Sequence, residues 1–267
     1  AASARGHETV ADIYPYLAGQ TGLGALFVPA WAVEGGPAEM RKRFADPTLR
    51  PRIAAEIEAA GSECLVFAGD ATEAAHAEKA VAATSKRWGR IDLAVLNVGA
   101  GPVSNLTRAS AESITDCMRT NYDAMVHFYV PLIRQMKTQT SECLITHINS
   151  LASYFGLPMQ GDYTAAKAAA RIFLETARME LKHFGFNHIS IQTIHPGFIN
   201  TKPKKDALPR PGELSTDAAA EQILRAIASG KPEIHFPFGT AFATRIGRIA
   251  PRWLKTFILL KAARKSY

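Results

Sequence analysis

Ser150, Tyr163 and Lys167 are the residues of this chain whose types and spacing are best suited to chemistry. Tyr163 and Lys167 lie four positions apart, so on a helix they share a face. An ammonium beside a phenol favours the phenolate and should lower its pKa, which suits a general acid or base working near neutral pH. A serine hydroxyl across from it is placed to orient or polarise a substrate oxygen. A Tyr-x-x-x-Lys pair alone is weak, and each residue has a plain reading: Tyr163 as a half-buried helix residue, Lys167 as a solvated cation, Ser150 as a cap. The context favours the chemical reading of all three together. Ser150 follows the apolar run Glu142–Ile148 after a single residue, and the Ala-rich stretch Tyr163–Phe184 has helical spacing and ends at Gly185.

The elements that must position this group alternate regularly from residue 61 onward. Apolar runs at Ser62–Ala68, Ile91–Asn97, Glu142–Ile148 and Ile189–Ile194 read as strands. Helical stretches at Ala74–Trp88, Ala111–Lys137 and Tyr163–Phe184 separate them. Near-continuous apolar strands are buried on both faces, so the pattern predicts an α/β fold with a doubly wound, Rossmann-type parallel sheet. Ligands of such sheets bind at the carboxyl ends of the strands, where Ser150 falls.

Composition excludes several other classes. The 267 residues are 47% hydrophobic and 21% charged, which rules out a disordered or collagen-like chain. No apolar run approaches the length of a transmembrane helix. Cys64, Cys117 and Cys143 stand singly in apolar stretches, as buried reduced thiols would, which points to the cytoplasm. No metal-ligand spacing is present, and no metal is expected. The net charge of +7 is a property of the tail: residues 245–267 hold seven basic side chains and no acid, while residues 61–201 balance twelve against twelve. A basic tail without a nucleic-acid motif makes nucleic acid a poor partner.

Over residues 61–240 the chain resembles the short-chain dehydrogenases/reductases. Gly69-Asp70 after a strand is similar to the family's adenine-contacting Asp. Asn97-Val98-Gly99-Ala100-Gly101 resembles its Asn-Asn-Ala-Gly segment, with Val98 in place of the second Asn. Asn121 matches the catalytic Asn of the long helix, and Ser150, Tyr163 and Lys167 match the catalytic set with its thirteen- and four-residue spacings. Pro196-Gly197-Phe198-Ile199-Asn200-Thr201 resembles the loop that touches the nicotinamide end. The resemblance implies NAD or NADP as cofactor and interconversion of a carbonyl and an alcohol. Tyr163 would donate the proton, Ser150 would hold the oxygen, and Lys167 would contact the ribose and lower the Tyr163 pKa. Asn121 would hold a water for proton relay. Asp70, Asn97, Gly99, Tyr163, Lys167, Pro196, Gly197, Ile199 and Thr201 would line the cofactor. The long helices imply a homodimer or tetramer.

Residues 1–60 depart from that pattern. The nearest glycine run, Gly19-Gln20-Thr21-Gly22-Leu23-Gly24, is one residue short of the family's phosphate loop. Residues 7–58 resemble instead a segment of the N-acyl-D-amino-acid deacylases, through Asp12-Ile13-Tyr14-Pro15-Tyr16 and Pro29-Ala30-Trp31-Ala32-Val33-Glu34-Gly35-Gly36. Two readings of this segment stand: a fusion or chimera, or a diverged first unit with a strand at Thr9–Tyr14 and Gly19–Gly24 as its loop. The expected division is an atypical segment at 1–60 and a dehydrogenase-like domain at 61–267. A catalytically silent remnant that cannot hold a dinucleotide is the alternative to an active enzyme. Asp46-Pro47 reads as a helix N-cap leading toward Ala60.

The tail, about 241–267, reads as one basic amphipathic helix, with Ile246, Ile249, Trp253, Phe257 and Leu260 at helical spacing. Such a helix either contacts an anionic membrane or a lipid-like substrate, or packs on the domain or a partner subunit with its charges in water.

Overall fold

The computed structural model describes residues 69–200 and 212–263, with positions 46, 48, 49, 51, 52, 55, 63, 65 and 67. Thr9–Tyr14, Gly19–Gly24, Thr201 and most of the loop at 202–213 lie outside the described residues. Of the run at 62–68, Glu63, Leu65 and Phe67 are described, and none of the three is in a strand.

Helix α1 (Ala74–Trp88) spans the predicted stretch and buries Ala77 and Val81. Gly89 ends it in the left-handed conformation, φ 77°, where its N–H caps Ser85 O. Four strands, β1 (Leu93–Leu96), β2 (Cys143–Ile148), β3 (Ile189–Pro196) and β6 (Glu233–Phe236), form one parallel sheet in the order β1-β2-β3-β6. Ile145 lies opposite Ile191 and Ile194 opposite Ile234 in its register. β4 (Ile199–Asn200) and β5 (Leu214–Ser215) make a separate short parallel pair.

Period two decides which side chains go to which face. Cys143, Ile145, Ile189 and Ile191 join Val81 of α1 in one core cluster. Ile148 and Ile194, of opposite parity, join Phe236 and Ile223 in the other. The first cluster is closed by α3 (Ala124–Met136) and α4 (Gly161–His183), through Met125, Leu132, Met136, Ala170, Leu174 and Leu181. The second is closed by α5 (Thr216–Ser229). Helices cover both faces, so the sheet is doubly wound, as predicted.

Two expectations about the helices need correction. The long helix expected over Ala111–Lys137 is broken: α2 (Ala111–Met118) and α3 are joined by a π turn at Arg119–Asp123. The tail is two helices, α6 (Phe238–Ile249) and α7 (Arg252–Ala263). Pro251 is the cause, since it disfavours helical backbone at Ala250, which sits at ψ 144°. Asp46 Oδ1 accepts from Thr48 N at 2.8 Å, the bond an N-cap makes, and the described helical residues begin at Pro51. Cys117 and Cys143 are buried free thiols, as expected.

Candidate active site

The carboxyl ends of β1 and β2 open side by side, and two helices deliver side chains to that edge. β1 runs into Asn97–Gly101 and β2 into Asn149 and Ser150. Ser150 is extended, φ −166°, and caps a 3-10 helix at Leu151–Tyr154, its Oγ accepting from Ala152 N at 3.1 Å. Its own N–H donates to Asn149 Oδ1 at 2.8 Å, and Asn149 Nδ2 donates to the Lys167 carbonyl at 3.1 Å. The serine is therefore both the cap of the plain reading and a member of the chemical group, because its hydroxyl stands near enough to the Tyr163 phenol to lower its pKa.

Tyr163 and Lys167 come from the first turns of α4. Lys167 is 3% exposed, and its Nζ donates to Ile148 O at 3.2 Å. Burial lowers its pKa from 10.5 to about 8. The Tyr163 phenol behaves opposite to the expectation. Loss of water around it pushes its pKa up, and the nearby Ser150 hydroxyl only draws it back in part. Lys167 does not lower it here: Nζ stands over the ring, 5.9 Å from its centroid, and spends a proton on Ile148 O. A phenol held protonated is a proton donor ready for use.

Asn121 is fully buried within the π turn, a widened turn of the kind that often re-aims a side chain at a functional site. Its Nδ2 donates to Ala100 O at 2.8 Å and to Cys117 O at 3.0 Å, and its Oδ1 accepts from Ala100 N at 3.0 Å. The amide thus holds the backbone of the loop after β1, where a water relay was expected. That loop lies close over the helix α4 pair. A Cβ at Gly99 would stand 2.8 Å from Lys167 Nζ and 2.9 Å from Asn121 Oδ1, and one at Gly101 would stand 3.4 Å from the Tyr163 ring. Asn97 adds an Oδ1 that is buried with no hydrogen-bond partner among the described residues. Below the turn, burial and the nearby Asp162 push the Cys117 thiol up to about 12, so it stays protonated and inert.

The structure therefore brings Gly99, Asn121, Ser150, Tyr163 and Lys167 together. Other predicted residues make their contacts nearby or elsewhere. Asp70 sits in the turn before α1, with Oδ1 accepting from Thr72 N and Thr72 Oγ1, each at 2.8 Å. Pro196 pairs with Phe236, and Gly197 N donates to Phe236 O at 2.7 Å. A Cβ at Gly197 would meet Thr240 Oγ1 at 2.9 Å, so this glycine lets β3 turn against α6. Ile199 pairs with Leu214.

One group escaped the sequence reading. His195, fully buried at the end of β3, places Nδ1 3.2 Å from Ser150 O and 3.3 Å from Ser153 Oγ. Its ring stacks on His235 of β6, centroids 4.7 Å apart and planes within 7°. Tyr154 OH lies 2.6 Å from His235 Nε2, and the guanidinium groups of Arg171 and Arg248 each stand 4.8 Å from the centre of the Tyr154 ring. Burial and the His235 neighbour lower the His195 pKa to about 3. A neutral ring protonated at Nδ1 donates to the Ser150 carbonyl and so steadies the cap that carries the serine. The signal was a histidine inside the apolar run Ile189–Pro196, since a strand buried on both faces keeps a polar side chain only where it finds a partner. Ligand atoms of His195, Glu233 and His235 lie within 4.8 Å of one another. The parallel rings keep their lone pairs in separate planes, and Glu233 is engaged by Arg178 at 3.0 Å, so the three do not converge on a cation.

Comparison with known proteins identifies the family. The family model for short chain dehydrogenase matches residues 16–211, beginning inside the stretch set apart above as 1–60. An uncharacterized oxidoreductase of Myxococcus xanthus is 28% identical over 197 residues, 73% of this chain and 76% of that protein. A short-chain dehydrogenase/reductase of Hericium erinaceus is 30% identical over 182 residues, 67% of this chain and 71% of that one. Among solved structures, a short chain dehydrogenase of Burkholderia cenocepacia in complex with NADP superposes with a TM-score of 0.63 at 22% identity, covering 74% of this chain and 79% of that chain. The chain belongs to the short chain dehydrogenase family.

Proposed function

We propose that the protein is an oxidoreductase that uses NAD(H) or NADP(H) to interconvert a carbonyl and an alcohol on a small molecule. The observation that carries this reading is the grouping at the sheet edge: the buried Tyr163 phenol, kept protonated with the Ser150 hydroxyl nearby, beside the buried Lys167 ammonium, under a loop in which Gly99 leaves room only for backbone.

These residues fit a nicotinamide dinucleotide. The unpartnered Asn97 Oδ1 faces no protein donor among the described residues, and Lys167 offers the remaining hydrogens of its ammonium to ribose hydroxyls. The cofactor supplies or accepts the hydride. Ser150 holds the substrate oxygen, and Tyr163 gives it a proton in the reductive direction. A phenol kept protonated favours reduction near neutral pH, and alcohol oxidation should gain as pH rises.

The matched span takes in Gly19, Gly22 and Gly24, which supports reading residues 16–60 as the family's own diverged first unit, with those glycines toward the phosphates. The comparisons give the deacylase-like reading no support. Val130 on α3, and Ile172 and Met179 on α4, are large apolar side chains left exposed, which supports self-association through these two helices.

Titration with NADPH and NADH, followed by nicotinamide fluorescence, tests the reading. Saturable binding of either one supports it. Absence of binding at about millimolar cofactor would favour the silent remnant.

A further inference from the structure

α6 and α7 expose an apolar surface that the proposed reaction does not use. Phe238, Phe242, Ile246 and Ile249 recur at helical spacing along α6, and Phe238 and Ile249 are 84% and 85% exposed. Ala241 and Thr244, small residues on another side of the same helix, face the domain. On α7, Trp253, Phe257 and Leu260 form a second stripe, and Trp253 is 72% exposed. None of Arg252–Lys261 is fully buried. Cations border both stripes. Arg245, Arg252 and Lys261 are exposed and Lys255 partly so, and no ion pair of the described residues involves them. No Asp or Glu follows Glu233 in the chain.

We propose that α6 and α7 together form a docking surface for an anionic lipid bilayer, with the aromatic stripes in the headgroup boundary and the flanking cations on the phosphates. Charge decides between this occupant and a second copy of the chain. A two-fold contact through this face would bring the same cations against one another, with no acid on either helix to offset them. An anionic surface offsets all of them. Wide aromatic and aliphatic stripes bordered by Lys and Arg are the composition of helices that lie in a membrane interface. No described helix is long and apolar enough to cross a membrane, so the contact is lateral. The proposal goes beyond the redox reading and holds whatever the outcome of the cofactor titration.

The test uses the full chain with vesicles of phosphatidylcholine alone and of phosphatidylcholine mixed with phosphatidylserine. Co-sedimentation with the mixed vesicles, reversed by high salt, is expected, together with a blue shift of tryptophan emission that a Trp253→Phe variant lacks. Two double variants, Trp253→Ser/Phe257→Ser and Arg245→Gln/Arg252→Gln, change exposed side chains only, and circular dichroism checks that they fold. Each should weaken partitioning by about tenfold or more, since each basic residue near an anionic surface is worth several-fold in binding. Equal recovery from both vesicle types, no recovery from either, or binding unaffected by both variants would overturn the proposal. So would a second copy on this face: a dimer in free solution that the Trp253→Ser/Phe257→Ser variant turns into monomer, with no partitioning to vesicles.

Discussion

The Asn121 side chain and the Ala100 backbone form a closed two-way pair: Nδ2 donates to Ala100 O at 2.8 Å and Oδ1 accepts from Ala100 N at 3.0 Å. The pair joins the π turn to the loop after β1, so the helix that carries Asn121 sets how closely Gly99 approaches Lys167. Replacing Asn121 by Leu leaves both Ala100 groups without that partner in a buried place. The expected loss of stability is about 1–3 kcal/mol, read from urea denaturation. Asn121→Asp keeps the acceptor and loses the donor, and should bring a carboxylate close to Ala100 O. It is expected to lose cofactor affinity more than Asn121→Leu does, because charge repulsion moves the loop, and equal affinities in the two variants would count against this role.

Lys167 carries its charge at an energetic cost. Its pKa falls from 10.5 to about 8 on folding, so between those values the unfolded chain holds a proton that the folded one has released. Stability from this group therefore rises with pH across that window, and below pH 8 the buried ammonium costs about 3 kcal/mol. A Lys167→Met variant, free of cofactor, should be more stable than the parent near neutral pH, with the difference shrinking between pH 8 and pH 10. Denaturation midpoints across that range check it. A constant difference would mean that Lys167 does not titrate there.

His195 has a similar sign at the acid end. Its pKa is lowered to about 3 from 6.5, so on acidification the unfolded chain takes up a proton that the folded one refuses. Stability falls as pH drops through that window, and His147, buried and also pushed down, adds to the slope. His195→Gln keeps a donor for the Ser150 carbonyl and removes the titration. The slope of stability against pH between about 6 and 4 should flatten by about 1.4 kcal/mol per pH unit. An unchanged slope would show that the imidazole is accessible to protons.

Much of this arrangement was legible in the sequence, for physical reasons. Strands buried on both faces must read as apolar runs, so the parallel sheet and the places of β1, β2 and β3 could be found. α1 could be bounded because Gly89 stops it in a conformation that favours glycine. Tyr163 and Lys167 were visible because spacing on one helix fixes which side chains share a face, and Ser150 because it follows a strand that reads as an apolar run. The π turn was hidden, since the sequence of Arg119–Asp123 carries no breaker. The Tyr163 pKa was misjudged for a related reason. Spacing brings Lys167 near the phenol, but only the fold shows that the ammonium is committed to Ile148 O and that burial dominates. The His195–His235–Tyr154 group joins residues about 40 and 80 positions apart through the register of β3 and β6, which no local pattern encodes.

The role of Tyr163 is the centre of the functional account. The most direct measurement compares the parent with Tyr163→Phe for NADPH and NADH binding and for cofactor consumption with a panel of aldehydes and ketones. Both proteins should bind cofactor alike, and the variant should turn over slower by about 10²–10⁴-fold, the usual contribution of a general acid. Consumption at the parent's rate by Tyr163→Phe would contradict the account.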